Sequence, residues 1–260
     1  MGPGKPSWDG SARGPAILKR MWIFPAIAAG IALVFAGLLV RQFTQRRRSY
    51  QMLWAISLVM YAAASIAVAV GSQGHWTKGA YTVFWTLGAV LNVPFLAAGE
   101  LQLLVRDRTF HLAIDIVLVV VVAYAVATVR GASFDPAALM RDLPSGKDVF
   151  GAASSAHRLP QLVSYPSYFL LVFGALWSAW KMRGRSELKD RFTGTLWIAL
   201  GATVIAGFGS AFAATGKLAL FSTSLAVGIA VMFLGFLRAS RQSAPAAAPV
   251  GTTAAPPPTP

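Results

Sequence analysis

The chain has 260 residues, of which 56% are hydrophobic and only 12% charged; a soluble domain carries roughly 25% charged residues. Its apolar residues come in blocks near the length of a bilayer crossing, more than one globule can bury, so lipid must cover them. The formal charge of +14 lies mostly in short segments between those blocks, where membrane topology accounts for it and a nucleic-acid-binding face does not.

Residues 1–20 are rich in Gly, Pro and Ser and lack apolar periodicity, which predicts a disordered N-terminal extension. Met21 stands directly before the first apolar block and is a candidate translation start. The membrane domain is expected over 21–241, with spans at 22–40, 52–71, 81–104, 112–129, 162–180, 195–214 and 218–237. Each can cross about 30 Å of hydrocarbon as a helix rising 1.5 Å per residue. The runs are continuously apolar, whereas barrel strands alternate, so the expected fold class is all-α: a polytopic seven-transmembrane-helix bundle. The first span ends in arginines and lacks a small-residue cleavage site, so it reads as retained. A loop over 130–161 is the one sizeable connection, with a short interfacial helix expected near Ala137 to Leu143. Residues 242–260, with their Ala and Pro runs, are expected to form a disordered tail.

One set of connections carries Arg41, Arg46, Arg47 and Arg48, then Arg106 and Arg108, then Lys181, Arg183, Arg185, Lys189 and Arg191; the short connections opposite carry only Lys78 and Lys217. The positive-inside rule therefore predicts an N-terminus outside and a C-terminus in the cytoplasm. Arg46, Arg47, Arg48, Arg183 and Arg185 are the expected contacts to anionic lipid headgroups.

An ionisable side chain within a span is costly and a functional candidate by default. Glu100 and Asp115 are the two, near the same end of consecutive spans. The expected reading is that each pairs with Arg106 or Arg108 at the headgroup boundary and fixes the hairpin; the alternative is that the turn lets them face each other as a carboxylate pair sharing a proton or a cation. Trp85, Gly88, Asn92, Leu96 and Gly99 share one stripe of the third span, and Pro94 predicts a kink beside Asn92. Ala206, Ser210 and Ala214 form a small-residue stripe on the sixth span. Helix packing is the expected use of both stripes. Trp54, Trp76, Tyr81, Trp85, Trp177, Trp180 and Trp197 lie near span ends, as an aromatic belt requires.

No cofactor is expected. Cysteine is absent, so thiol nucleophiles and thiolate metal sites are excluded. His75, His111 and His157 stand in loops or at span ends, not facing one another as haem ligands or at zinc-ligand spacing. The seventh span has no mid-span lysine, so the retinal attachment of the microbial rhodopsins, whose topology this chain resembles, is missing.

Leu53-Trp54 and Leu196-Trp197 open the second and sixth spans after basic connections, which suggests three helices, a linker helix and three more. Pro160-Gln161 resembles the dipeptide of the PQ-loop transporters, but Phe24-Pro25-Ala26 stands at the matching place in the first span, and the dipeptide reads as chance. The stretch from Arg46 to Leu104, with Leu53-Trp54, His75-Trp76 and the run from Gly88 to Pro94, resembles uncharacterised seven-helix membrane proteins of high-GC bacteria. It is more loosely similar to the seven-helix sensor modules of bacterial histidine kinases. Neither resemblance brings an established active residue, and a receptor reading needs a separate partner. No nucleophile and base constellation can be assembled from the spacing, so the expected reading is a non-enzymatic multi-pass protein of the inner membrane, acting as a sensor or an accessory subunit with partner membrane proteins. The alternatives are a small-solute or proton-coupled transporter using Asn92, Glu100 and Asp115, and, last, an intramembrane enzyme.

Overall fold

A computed structural model describes residues 21–74, 76–184 and 188–241. The two expected disordered ends, His75 and Arg185 lie outside these residues. The described chain is helical without a strand, and seven of its helices are long and apolar enough to cross a membrane. We label them α1 (Ile23–Arg46), α2 (Ser49–Gly71), α3 (Lys78–Leu104), α4 (Arg108–Arg130), α5 (Ser155–Met182), α6 (Lys189–Ala214) and α7 (Leu218–Arg241). Each contains the span expected from the sequence apart from Trp22, and most run further, because polar residues at the ends extend and cap them. The Thr77, Asp107 and Ser154 side chains accept from the backbone N–H of Ala80, Phe110 and His157, capping α3, α4 and α5.

Helices α1, α2, α3, α5, α6 and α7 pack in that order into a closed ring, and α4 stands outside it against α3 and the start of α5. The ring closes between α7 and α1, where Phe35 lies 4.7 Å from Phe236 and 5.4 Å from Phe233, centroid to centroid. Across the interior, the Tyr61 hydroxyl on α2 donates to the Leu225 carbonyl on α7 at 2.8 Å. The position of α4 explains its composition: Leu112, Ile116, Val117, Val119 and Val120 are all exposed, as a helix facing lipid over most of its circumference requires.

The tightest packing joins α6 and α7 through two pairs of glycines. A Cβ on Gly201 would lie 2.5 Å from the Gly228 carbonyl oxygen, and one on Gly194 equally close to that of Gly235. These backbones touch because no side chain intervenes, the way membrane helices gain dispersion contact where lipid gives no hydrophobic drive. The stripe of Ala206, Ser210 and Ala214, for which helix packing is the expected use, takes no part in these glycine pairs. Those residues border a cavity described below.

The connection after α4 is shorter than expected, 131–154, and differently built. The helix expected at Ala137 to Leu143 is one 3-10 turn, Ala138–Met140, and the helical turn falls later, at Gly146–Phe150. The shift has a local cause: Ser145 caps Gly146–Phe150 by accepting from the Asp148 N–H, and its hydroxyl and Arg141 both bind the Asp148 carboxylate, at 2.8 and 2.5 Å. The segment folds inward as a lid. Leu139, Leu143, Val149 and Phe150 are buried, and the Trp76 indole donates to the Asp142 carbonyl at 3.1 Å. Trp76, Tyr81 and Trp85 therefore form no belt; they are buried with Phe84 against Phe134 and Phe150 of the lid. Trp177, Trp180 and Trp197 are exposed, as a belt needs.

Replacing Gly201 by Leu should cost about 2 kcal/mol or more, since overpacking a closed contact costs roughly 1–3 kcal/mol. Gly30→Leu, where a Cβ meets nothing within 4 Å, should change stability by less than about 0.5 kcal/mol. Thermal unfolding of both variants in the same detergent checks the contrast.

Candidate functional site

Three of the helices are not uniformly α. Within α3 the stretch Phe84–Leu91 is π-helical, within α5 Pro160–Ser164, and within α6 Val204–Gly209. In the first two, a proline follows two or three residues later: Pro94 and Pro166. Proline has no N–H and its ring crowds the carbonyl four residues earlier, so the turn before it widens. A π-helical stretch thus ends three residues before Pro94, the position at which the sequence predicts a kink. In α6 the widened turn contains Gly207 and Gly209.

A widened turn frees backbone carbonyls, and in hydrocarbon only protein can satisfy them. Pro94 leaves the Val90 carbonyl without its helical donor, and the Ser164 hydroxyl on α5 lies 2.9 Å from that oxygen and 2.7 Å from the Ala89 oxygen. One turn further along α3, the Ser57 hydroxyl of α2 lies 2.7 Å from the Asn92 Oδ1 and 2.9 Å from the Asn92 carbonyl. The Trp54 indole donates to the Leu96 carbonyl at 3.0 Å. The carbonyls along this side of α3 thus fix α2 and α5 on either side.

The three widened turns surround a cavity of about 640 Å3. This is within the range of roughly 300–1,000 Å3 typical of small-molecule sites. From α3 the wall takes Trp85, Gly88, Asn92 and Leu96, and from α6 Ala206, Ser210 and Ala214. These are members of the two stripes that the sequence assigned to packing. Tyr61 and Ser65 of α2 and Phe221 and Met232 of α7 complete the interior, and Pro144 to Lys147 of the lid close one end. Gly146 is needed there: a Cβ would run into the Trp85 ring, whose indole N–H donates to the Ala156 carbonyl at 3.0 Å.

The wall is mainly apolar with few polar groups. Asn92 is 6% exposed, and with Oδ1 taken by Ser57, its amide N–H groups have no acceptor among the described residues. At the lid end stand His157, whose Nδ1 is buried without a partner, and the exposed Lys147.

Among the described residues neither carboxylate forms an ion pair with Arg106 or Arg108, and the two do not face each other. Glu100 is buried against α5, where a Cβ on Gly174 would sit 2.9 Å from its Cγ, and it lies outside the cavity wall. Asp115 is exposed on α4 and accepts from Gln102 Nε2 at 2.8 Å. Two residues along a helix turn about 200°, so Glu100 and Gln102 point to opposite sides of α3; depth alone put the carboxylates together, and azimuth parts them. Arg46, Arg47 and Arg48 are exposed at the corner between α1 and α2, where Arg47 takes a left-handed conformation (φ 48°) and its N–H bonds the Phe43 carbonyl. Arg183 is exposed just beyond α5. The sequence did not single out Ser164, Tyr61 or the turn at Val204; Pro166 two residues after Ser164 was the available signal.

No family model matches the chain, and neither a curated protein nor a solved structure does.

Ser164→Ala should destabilise the protein by about 1–3 kcal/mol, the cost of leaving buried acceptors unpaired, and Ser164→Thr should recover most of it. Denaturant unfolding of the two variants in detergent checks this.

Proposed function

We propose that the chain is a ligand-binding sensor of the cell's inner membrane, non-enzymatic, with its N-terminus outside and its C-terminus in the cytoplasm. It takes a small molecule into the ring and passes its presence to a partner membrane protein. The observation that carries this reading is the meeting of three π-helical turns around one cavity. Such turns are rare, occur frequently at functional sites, and place an extra residue in the helix. A change in their position turns everything beyond them about the helix axis, which links occupancy to the arginine-rich ends of α3, α5 and α6.

The make-up of the wall favours binding over chemistry. It contains no carboxylate, and its titratable groups, Lys147, His157 and three tyrosines, offer no nucleophile held by a base. Proton-coupled transport through Asn92 and Glu100 has less support, since Glu100 lies behind the wall and the end away from the lid is sealed by buried Leu58, Leu171 and Met232. The basic corners, with Arg46, Arg47, Arg48 and Arg183, then rest on anionic headgroups and hold the helix ends at the cytoplasmic surface.

Native mass spectrometry of the protein extracted in mild detergent tests this. The wild type should carry a small molecule, and Ala206→Phe, which fills the cavity from α6, should lose it while melting within a few degrees of wild type. A wild type that carries nothing, or a folded variant that keeps the molecule, contradicts the reading.

A further inference from the structure

The cavity has an opening, and its position narrows what enters. Tyr168 on α5 donates to the Thr203 hydroxyl on α6 at 3.1 Å, about 20 Å along α5 from Ser155. From that bond toward the lid the two helices diverge: α5 leans on α3, α6 continues on α7, and the two are not packed on each other. In the fork, Tyr165 and Ser210 are at once exposed and part of the cavity wall. The fork lies at bilayer depth, while the lid covers the end that would face water. Access is therefore sideways, from lipid.

The lid end carries the charge. Gly146 and Ala156 both rest on Trp85, so their neighbours Lys147 and His157 come to the same end of the cavity. Lys147 forms no ion pair or hydrogen bond among the described residues, and the buried His157 Nδ1 has no partner. An exposed ammonium without a protein partner beside a buried ring nitrogen without one, and an apolar wall running to Met232 at the other end, match a molecule with an anionic head and a long apolar chain.

Resting on the ligand-binding reading above, we infer that the ligand is a single-chain anionic amphiphile drawn from the bilayer through the fork between α5 and α6, its carboxylate at Lys147 and His157 and its chain toward Met232. The fork serves as the path because an acyl chain never leaves hydrocarbon along it, whereas the lid route would expose it to water.

The test uses the full chain in phosphatidylcholine nanodiscs, a fluorescent long-chain fatty acid and the matching long-chain alcohol. The acid should bind, Lys147→Ala should weaken it about tenfold, in line with loss of one charge-assisted contact, and the alcohol's weaker binding should be unchanged by that substitution. Ser210→Trp, placed in the fork, should slow association of the acid about tenfold or more without abolishing the folded state by circular dichroism. Acid binding indifferent to Lys147→Ala, an equal loss of acid and alcohol, or association unaffected by Ser210→Trp would overturn the inference. A protein that binds neither probe yet carries a molecule lost in Ala206→Phe would overturn it too, and would leave the sensor reading standing.

Discussion

Hydrocarbon offers no hydrogen bonds, and the contact on which the rest of this structure depends is the one that meets that constraint at its weakest point: the Ser164 hydroxyl against the Ala89 and Val90 carbonyls. Pro94 cannot donate to the Val90 carbonyl, and without Ser164 that oxygen would face an apolar wall at a cost of several kcal/mol. With it, α3 is held open as a widened helix and α5 is tied to its flank. Ser57 ties α2 to the same helix two residues further along, at Asn92. A break in one helix thereby becomes the joint of three.

The two kinds of packing in the ring divide the work. Along α6 and α7 the glycine pairs bring backbones into contact and make a rigid seam. Around α3, α5 and the lid-end half of α6, extra residues per turn and small side chains along the cavity wall leave space instead. The lid and its aromatic cluster then cover that space at one end, with Tyr81 fully buried beneath Phe150. The outcome is a cavity bounded by a stiff side and a bulged side, and a response to occupancy would come from the bulged side.

Much of the architecture was legible in the sequence because hydrocarbon imposes a length and a composition that nothing else produces: seven apolar runs gave seven helices close to their expected ends. The stripe from Trp85 to Leu96 was legible too, but its use was not, since small residues look alike whether they touch a neighbour or border a void. Only the third dimension distinguishes Gly201, which meets a backbone, from Ala206, which borders the cavity. Glu100 and Asp115 misled for a related reason: span depth can be counted, whereas the direction of a side chain across a helix pair depends on how the pair is set. The lid was illegible because its buried residues are scattered among Asp, Pro, Ser and Gly, a composition that otherwise reads as an exposed loop.

The natural chain has no cysteine, so single cysteines report their own surroundings. Ser57 and Ser65 are both on α2 and both nearly fully buried, at 0% and 2% exposure; Ser65 lines the cavity and Ser57 is closed off against Asn92. Treating Ser65→Cys and Ser57→Cys proteins in bilayers with a small membrane-permeant thiol reagent measures directly whether the ring is hollow. The account predicts modification at Ser65→Cys and protection at Ser57→Cys; protection at both would mean a solid bundle with no site inside it.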